Sequence, residues 1–238
     1  IAILGGLEAD LTPAQRDDAA LAVDNFKDYL RWLIAERQKN PLSGEDGEVL
    51  SKLVGPDAEG DTLTELELLH NCIFLLNAGH ETTANTVTNG VDALLRFPDQ
   101  LDRLRADPEL IVSGVEELLR FESSVQLNNR KLTADAEIGG VAMNKGDYVW
   151  LCIGAANRDP AEFPDPDAID IGRDRNKHLA FGSGIHACAG MSLGRMEIRI
   201  ALNGFVQRFG QIEPSGTALP HPRARFRGFV DYPVTASV

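Results

Sequence analysis

A chain of 238 residues, 43% hydrophobic and 25% charged, is composed like a soluble globular protein and is long enough to bury a sizeable core. Its 23 basic and 36 acidic residues leave a net charge of −13, which argues against nucleic acid or an anionic membrane surface as a general partner. The three cysteines are odd in number and form no CxxC, so no disulfide framework is expected. No run of about 20 apolar residues is present to span a bilayer, and a cytoplasmic setting is the expectation.

The opening residues, Ile1 to Gln15, carry neither a basic region nor a cleavage pattern, so no signal peptide is expected. With no initiator Met, the chain is expected to begin inside something longer. Thr12-Pro13-Ala14-Gln15 is a helix start, with Thr12 as cap, Pro13 at the first helical position and Gln15 closing a capping box. Apolar residues at Ala22, Phe26, Leu30 and Leu33 make a helical stripe that should stop near Asn40, before Pro41. A loop from about Ser43 to Asp61 follows, with a short apolar segment, Val49 to Val54, inside it.

Thr62 with Glu65 and Thr64 with Glu67 are two overlapping capping signals for a long central helix over about 63–96, ending before Phe97-Pro98. Its middle, Cys72 to Leu76, is apolar all round and is expected to run through the interior. A polar stretch, Gly79-His80-Glu81-Thr82-Thr83, then interrupts the apolar rod. Buried polar groups cost free energy unless partnered, so function is expected at this conflict. Shorter helices are expected near Pro98–Ala106 and Pro108–Phe121, and a small antiparallel sheet between Leu127 and Cys152. Asp159 to Asp170 reads as irregular, Gly190 to Phe209 as helix, and the tail from Pro214 as short strands. The fold class is therefore mainly α with small antiparallel β-sheets, a single domain over 1–238.

The sharpest signal is Phe181-Gly182-Ser183-Gly184-Ile185-His186-Ala187-Cys188-Ala189-Gly190. Its glycines let the backbone approach a flat partner and take positive φ. Cys188 sits just before a helix start, where the helix end favours a thiolate. The third Gly and the Lys-Ser/Thr of a phosphate-binding loop are absent. His80-Glu81 does not open a zinc-protease motif either, because position 84 is Ala.

This segment resembles the haem-binding signature of the cytochrome P-450 family, Phe-x-x-Gly-x-x-x-Cys-x-Gly, at Phe181, Gly184, Cys188 and Gly190. Three further segments resemble family motifs in the family's order: Ala78-Gly79-His80-Glu81-Thr82-Thr83, Glu117-Leu118-Leu119-Arg120, and Asn157-Arg158-Asp159-Pro160 with Phe163 and Pro166. The resemblance covers essentially the whole chain. It implies a cytochrome P-450 fold with haem b, Cys188 as the ligand to the iron, and Phe181 packed near the sulfur. Gly182, Gly184 and Gly190 would shape the loop, and His186 and Arg130 would reach haem propionates. Ala78 and Gly79 would form an oxygen-binding groove, Thr82 would hydrogen-bond dioxygen, and Glu81 would help relay protons. Glu117 and Arg120 would join a buried ion network with an Arg or Asn of the later loop. Residues above the haem are expected to include Leu75, Ala78, Val125, Leu127 and Phe226 or Phe229.

The implied activity is insertion of one atom of O2 into a hydrophobic small molecule, with electrons from a ferredoxin-type partner. Arg173, Arg175, Lys177, Arg195 and Arg199 are either solvated or a docking face for that partner. Two departures stand out: Ser124 replaces a Pro usual after Glu-x-x-Arg, and the long N-terminal part that precedes Thr12 in complete members is missing. The competing expectation is a truncated, haem-free or inactive fragment. Cys72 and Cys152 are expected to be small core residues, and His70 and His221 to be solvated.

Overall fold

Thr12 caps the first long helix of the computed structural model, which describes residues 2–8, 11–42 and 49–238. The capping box is complete: the Thr12 hydroxyl accepts the Gln15 N–H, and the Gln15 side chain accepts the Thr12 N–H at 2.9 Å. The helix, α2, runs Pro13–Lys39 and is capped at Asn40; a four-residue helix, α1, Ala2–Gly5, precedes it. The apolar segment inside the loop is a short helix, α3, Val49–Val54, while residues 43–48 of that loop lie outside the described residues. The central helix, α4, runs Glu65–Arg96. Of its two candidate caps, Thr64 is used: its N–H and hydroxyl donate to Glu67 Oε2 at 2.8 and 2.7 Å.

The chain divides into two compact units, Ile1–Glu81 and Thr82–Val238, the division falling within α4. In the first unit, Leu30 and Ile34 of α2 pack with Leu68 and Leu69 of α4, and Leu50, Leu53 and Val54 of α3 close the cluster. Only one side of α4 is covered this way. Cys72 and Ile73 are half-buried, but Phe74 is 65% exposed and Leu75 and Leu76 are exposed too. The expectation that this apolar stretch lies in the interior is therefore not met in the described structure. The neighbours α2 and α3 flank a single face of it.

The second unit is built around α4, α5 (Pro98–Ala106), α6 (Ile111–Phe121, entered through a 3-10 turn at Pro108–Leu110) and α8 (Met191–Arg208). Ile111, Val115, Leu118 and Leu119 recur at helical spacing on α6 and meet Leu94 of α4, Leu101 and Leu104 of α5, and Ile198, Leu202 and Val206 of α8. Gly90 permits the close approach: a Cβ there would lie 3.0 Å from Leu202 Cδ1.

The sheets are all two-stranded and antiparallel. Strands β1 (Leu127–Lys131) and β4 (Tyr148–Cys152) pair with Leu127 opposite Cys152 and Arg130 opposite Val149. Between them β2 (Ala136–Ile138) and β3 (Val141–Met143) form a hairpin whose turn residues, Gly139 and Gly140, have φ of 59° and 80°. That is the mirror-type turn that matches strand twist, and it requires positive φ at both positions. A four-residue helix, α7, Ile153–Ala156, follows β4. In the tail, β5 (Gln211–Pro214) pairs with β8 (Val234–Ser237), and β6 (Leu219–Pro220) with β7 (Phe229–Asp231). Cys152 is exposed, contrary to expectation, because a two-stranded ribbon leaves its end with one layer only. His70 is exposed as expected, whereas His221 is half-buried and its N–H donates to Gly228 O at 2.9 Å.

Candidate functional site

The Cys188 loop is shaped by its own backbone. The Gly182 N–H donates to Leu179 O at 2.8 Å, the Ala187 N–H to Gly184 O at 3.0 Å, and the Cys188 N–H returns to Phe181 O at 2.8 Å. These three bonds fold the loop back on itself. They need Gly182 and Gly184 at φ of 69° and 66°, a region L side chains seldom enter. At Gly182 the space is also tight, since a Cβ would meet His186 O at 3.3 Å. At Gly184 nothing lies within 4 Å. Cys188 is half-buried at the entry to α8, two residues before the cap Gly190. A Cβ on Gly190 would lie 3.9 Å from Cys188 Sγ, at ordinary contact distance.

The segment that leads into the loop is held by α6. Glu117 and Arg120, one turn apart, are 0% and 1% exposed and make a forked pair, Nε to Oε2 and Nη2 to Oε1 both at 2.8 Å. A buried pair of this kind is tolerable only when every remaining lone pair and proton is used. Here they are. Glu117 also accepts Arg173 Nε at 3.0 Å, Asn176 Nδ2 at 2.9 Å and the Asp170 N–H at 3.0 Å. Arg120 also donates to the carbonyls of Asn157, Pro166 and Ala168. The expected buried network is present, and it takes both an Arg and an Asn from the later segment.

Asn157 and Arg158 were visible in the sequence as part of a motif but without individual tasks. Asn157 is fully buried; its Nδ2 donates to Ser123 Oγ at 2.8 Å and its Oδ1 accepts the Leu179 N–H at 2.7 Å. It thus couples the end of α6 to the loop. The Arg158 guanidinium lies 3.6 Å over the Phe121 ring and donates to Phe121 O. Ser124, at the unusual position after Glu-x-x-Arg, is buried, and its carbonyl accepts the Arg227 N–H at 2.8 Å.

Of the five basic residues expected to be solvated or to form a docking face, Arg173 is bound to Glu117, and Arg195 is bound through two nitrogens to Glu116. The carboxylates of α6, hidden in the sequence among ordinary charges, claim them. Lys177 pairs loosely with Glu162 at 3.4 Å, and Arg175 is exposed. Glu116 also faces His178 Nε2 at 3.1 Å. Burial raises the Glu116 carboxyl, but hydrogen bonds from His178 and Arg195 and the Arg195 charge overcome it and hold it at about 2.

The remaining expected residues lie on other elements. Thr82 is half-buried on α4 and opens the second unit. Ala78, Gly79 and Glu81 belong to the first unit, where Glu81 is buried and a Cβ on Gly79 would meet nothing within 4 Å. Arg130 is exposed on β1 and donates only to Asn129 O at 2.8 Å; neither it nor the exposed His186 meets a carboxylate among the described residues. Val125 and Phe226 are joined by an isolated antiparallel bridge, with Phe226 buried. Leu75 is exposed, in the first unit. A separate apolar cleft of about 280 Å³, lined by Val87, Val91, Phe205, Tyr232 and others, contains none of these residues.

The donor set fits a haem b. Among the described residues no three His, Cys, Asp or Glu come together to cage a metal ion; the loop offers one sulfur, Cys188, and a single thiolate is what a haem iron takes from a protein of this kind. The loop presents Gly182 to Ala187 outward with space at Gly184, and Arg130 and His186, which meet no carboxylate among the described residues, have the charge type that suits anionic propionates.

Comparison with known proteins gives one answer throughout. The family model described as cytochrome P450 matches residues 10–237. The biotin biosynthesis cytochrome P450 of Bacillus subtilis is 42% identical over 208 residues, 87% of this chain and 51% of its own length. Cytochrome P450 107B1 of Saccharopolyspora erythraea is 45% identical over 197 residues, 82% of this chain and 48% of its own. Among solved structures, P450BioI in complex with hexadec-9Z-enoic acid ligated acyl carrier protein superposes with a TM-score of 0.92 at 37% identity, covering 99% of this chain and 60% of that one. The Bacillus subtilis bacillaene polyketide synthase cytochrome P450 PksS gives 0.89 at 34%, covering 100% and 60%. The chain spans about half the length of the curated relatives it matches.

Proposed function

This chain belongs to the cytochrome P-450 family, and on that premise we propose that it is the ligand-bearing part of a haem-thiolate monooxygenase. The observation that carries the reading is the Cys188 loop, closed on Phe181 O and shaped by two glycines at positive φ, preceded by a segment gathered onto a buried carboxylate–guanidinium network on α6.

When bound, haem b supplies the iron at which O2 is reduced, with one oxygen atom going to the substrate and the other leaving as water. The balance requires two electrons and two protons per turnover: RH + O2 + 2e⁻ + 2H⁺ → ROH + H2O. Cys188 Sγ, as thiolate, would hold the iron and supply electron density to it. The Cys188 N–H is committed to Phe181 O, which fixes the backbone bearing the sulfur. His186 and Arg130 would hold the propionates by charge and hydrogen bonding. Ala78 and Gly79, with side chains of one methyl and none, would leave room on α4 for a small ligand. The Thr82 hydroxyl holds a proton there by hydrogen bonding, and the buried Glu81 carboxyl passes protons inward to it. The fragment alternative is not favoured, since the loop and its support are complete in the second unit.

The substrate we propose is an apolar organic molecule. P450BioI was solved with a hexadec-9Z-enoic acid on an acyl carrier protein, which supports a fatty-acyl chain as one candidate. Electrons are proposed to come from a ferredoxin-type protein, and the bacterial relatives support a cytoplasmic setting; among the described residues no helix is long and apolar enough to cross a membrane.

The protein expressed from its gene should carry haem, and its reduced carbon monoxide complex should show the red-shifted Soret band of a thiolate ligand. Absence of that band defeats the reading. Cys188→Ala should abolish it. Thr82→Ala should keep the band while diverting most of the electrons to peroxide, and unchanged coupling would remove Thr82 from the mechanism.

A further inference from the structure

A second carboxylate on α6 faces the same loop. Glu116 and Glu117 are neighbours, so they point about 100° apart around the helix. Glu117 meets Arg173 and Asn176, whereas Glu116 meets Arg195 from α8 and His178 from the segment just before the loop. Arg195 grips it in a fork, Nε to Oε1 at 2.8 Å and Nη2 to Oε2 at 2.9 Å, and Arg199 stands at 3.7 Å. His178 is 2% exposed at its side chain, and its Nδ1 accepts the Ala180 N–H at 3.2 Å. Nε2 is therefore the nitrogen that donates to Glu116.

These groups converge on Phe181. The Arg195 guanidinium lies 4.7 Å over the Phe181 ring, and the His178 ring centroid lies 6.1 Å from it. The Phe181 ring packs on α8 at Gly194, where a Cβ would lie 3.7 Å from Cε1, at ordinary contact distance. Phe181 is also the residue whose carbonyl receives the Cys188 N–H at 2.8 Å. An isolated surface ion pair would do little here. This one is forked and part-buried. It places a cation, already neutralised, against the aromatic ring that anchors the sulfur-bearing backbone.

We propose that Glu116 is a positioning residue for the thiolate: acting through Arg195 and His178, it holds Phe181 in place and cancels the guanidinium charge there, so that it helps set the reduction potential of the haem iron. The proposal rests on the haem-thiolate reading above. Charge and hydrogen bonding near the ligand are the protein's means of tuning such a potential. Reduction adds negative charge, so an unneutralised cation nearby favours the reduced state and raises the potential.

The test uses haem-loaded protein expressed from its gene, with the reduction potential and the reduced carbon monoxide spectrum as readouts. Glu116→Gln should raise the potential through the uncompensated Arg195 charge and, by freeing Phe181 and the Cys188 backbone it anchors, increase several-fold the share of complex in which the sulfur is protonated. Adding Arg195→Gln to that variant should bring the potential back toward wild type while the enlarged protonated share remains. A purely structural contact would not reverse in this way. If Glu116→Gln retains no haem, Glu116→Asp is read by the same two measurements and should show the enlarged protonated share. A Glu116→Gln protein with wild-type potential and spectrum, or a double variant whose potential stays raised, overturns the proposal. A wild-type protein without the thiolate band would fail earlier, at the reading on which the proposal stands.

Discussion

At the scale of single residues, the loop separates two costs that one substitution usually mixes. Gly182 and Gly184 both sit at positive φ, so alanine at either should cost about 1–2 kcal/mol from backbone strain alone. Only at Gly182 would the new Cβ also press on His186 O, at 3.3 Å. Gly182→Ala should therefore unfold at lower urea concentration than Gly184→Ala and lose haem more readily; equal midpoints would show that the His186 carbonyl yields freely. The sequence made Gly184 legible because the motif spacing marks it, whereas Gly182 stands at an open position of the motif and was legible only as a loop glycine free to take positive φ. It did not reveal Glu116, which looks like half of a solvated acidic pair, with partners 62 and 79 residues further on. Nothing local to Glu116 separates it from Glu109 or Glu122, and only the folded arrangement of α6, α8 and the loop gives it two partners.

Elements were legible where a local signal ended them. Thr12 with Gln15, Asn40 before Pro41, and Gly139-Gly140 each dictate a boundary through their own hydrogen bonds or φ values, and the structure places α2 and the β2–β3 hairpin accordingly. The two capping signals before α4 compete, and geometry decides for Thr64. Thr64→Ala should destabilise the protein by about 1 kcal/mol in denaturant titration, whereas Thr62→Ala should stay within about 0.5 kcal/mol. Comparable losses at both positions would mean the cap is shared. Burial of the middle of α4 was not legible, because apolar composition all round a helix states what the helix tolerates, and coverage depends on which neighbours arrive. In the described structure α2 and α3 cover one side, and Phe74 to Leu76 face outward.

At the scale of the whole molecule, the acidic balance of −13 conceals a second unit whose interior charges are closely matched. The Glu116 carboxyl is held at about 2 against an ordinary value of 4.5. Asp170 is also lowered, its burial outweighed by the Gly172 N–H and by Arg103. A carboxylate with a depressed folded value contributes its full stabilisation above its unfolded value and loses it as pH falls. Stability should thus be level from neutral pH down to roughly 4.5 and decline between there and about 2, with Glu116→Gln giving a shallower decline. A decline of the same slope in that variant would assign acid sensitivity elsewhere. The core that surrounds these charges was largely readable, since α6 repeats its apolar residues at helical spacing. The ion network inside it was readable only as a motif.

Asn157 shows what such an interior requires of ordinary amide chemistry. Its side chain donates to Ser123 and accepts from Leu179, and the Ser123 hydroxyl already donates to Leu119 O at 2.7 Å. Deamidation would turn the donor into another acceptor and set two oxygens face to face with no hydrogen between them. That reaction begins with attack by the following backbone nitrogen, and the Arg158 N–H is held instead on Ala155 O at 2.9 Å. The turn that makes position 157 intolerant of chemical ageing also slows the ageing.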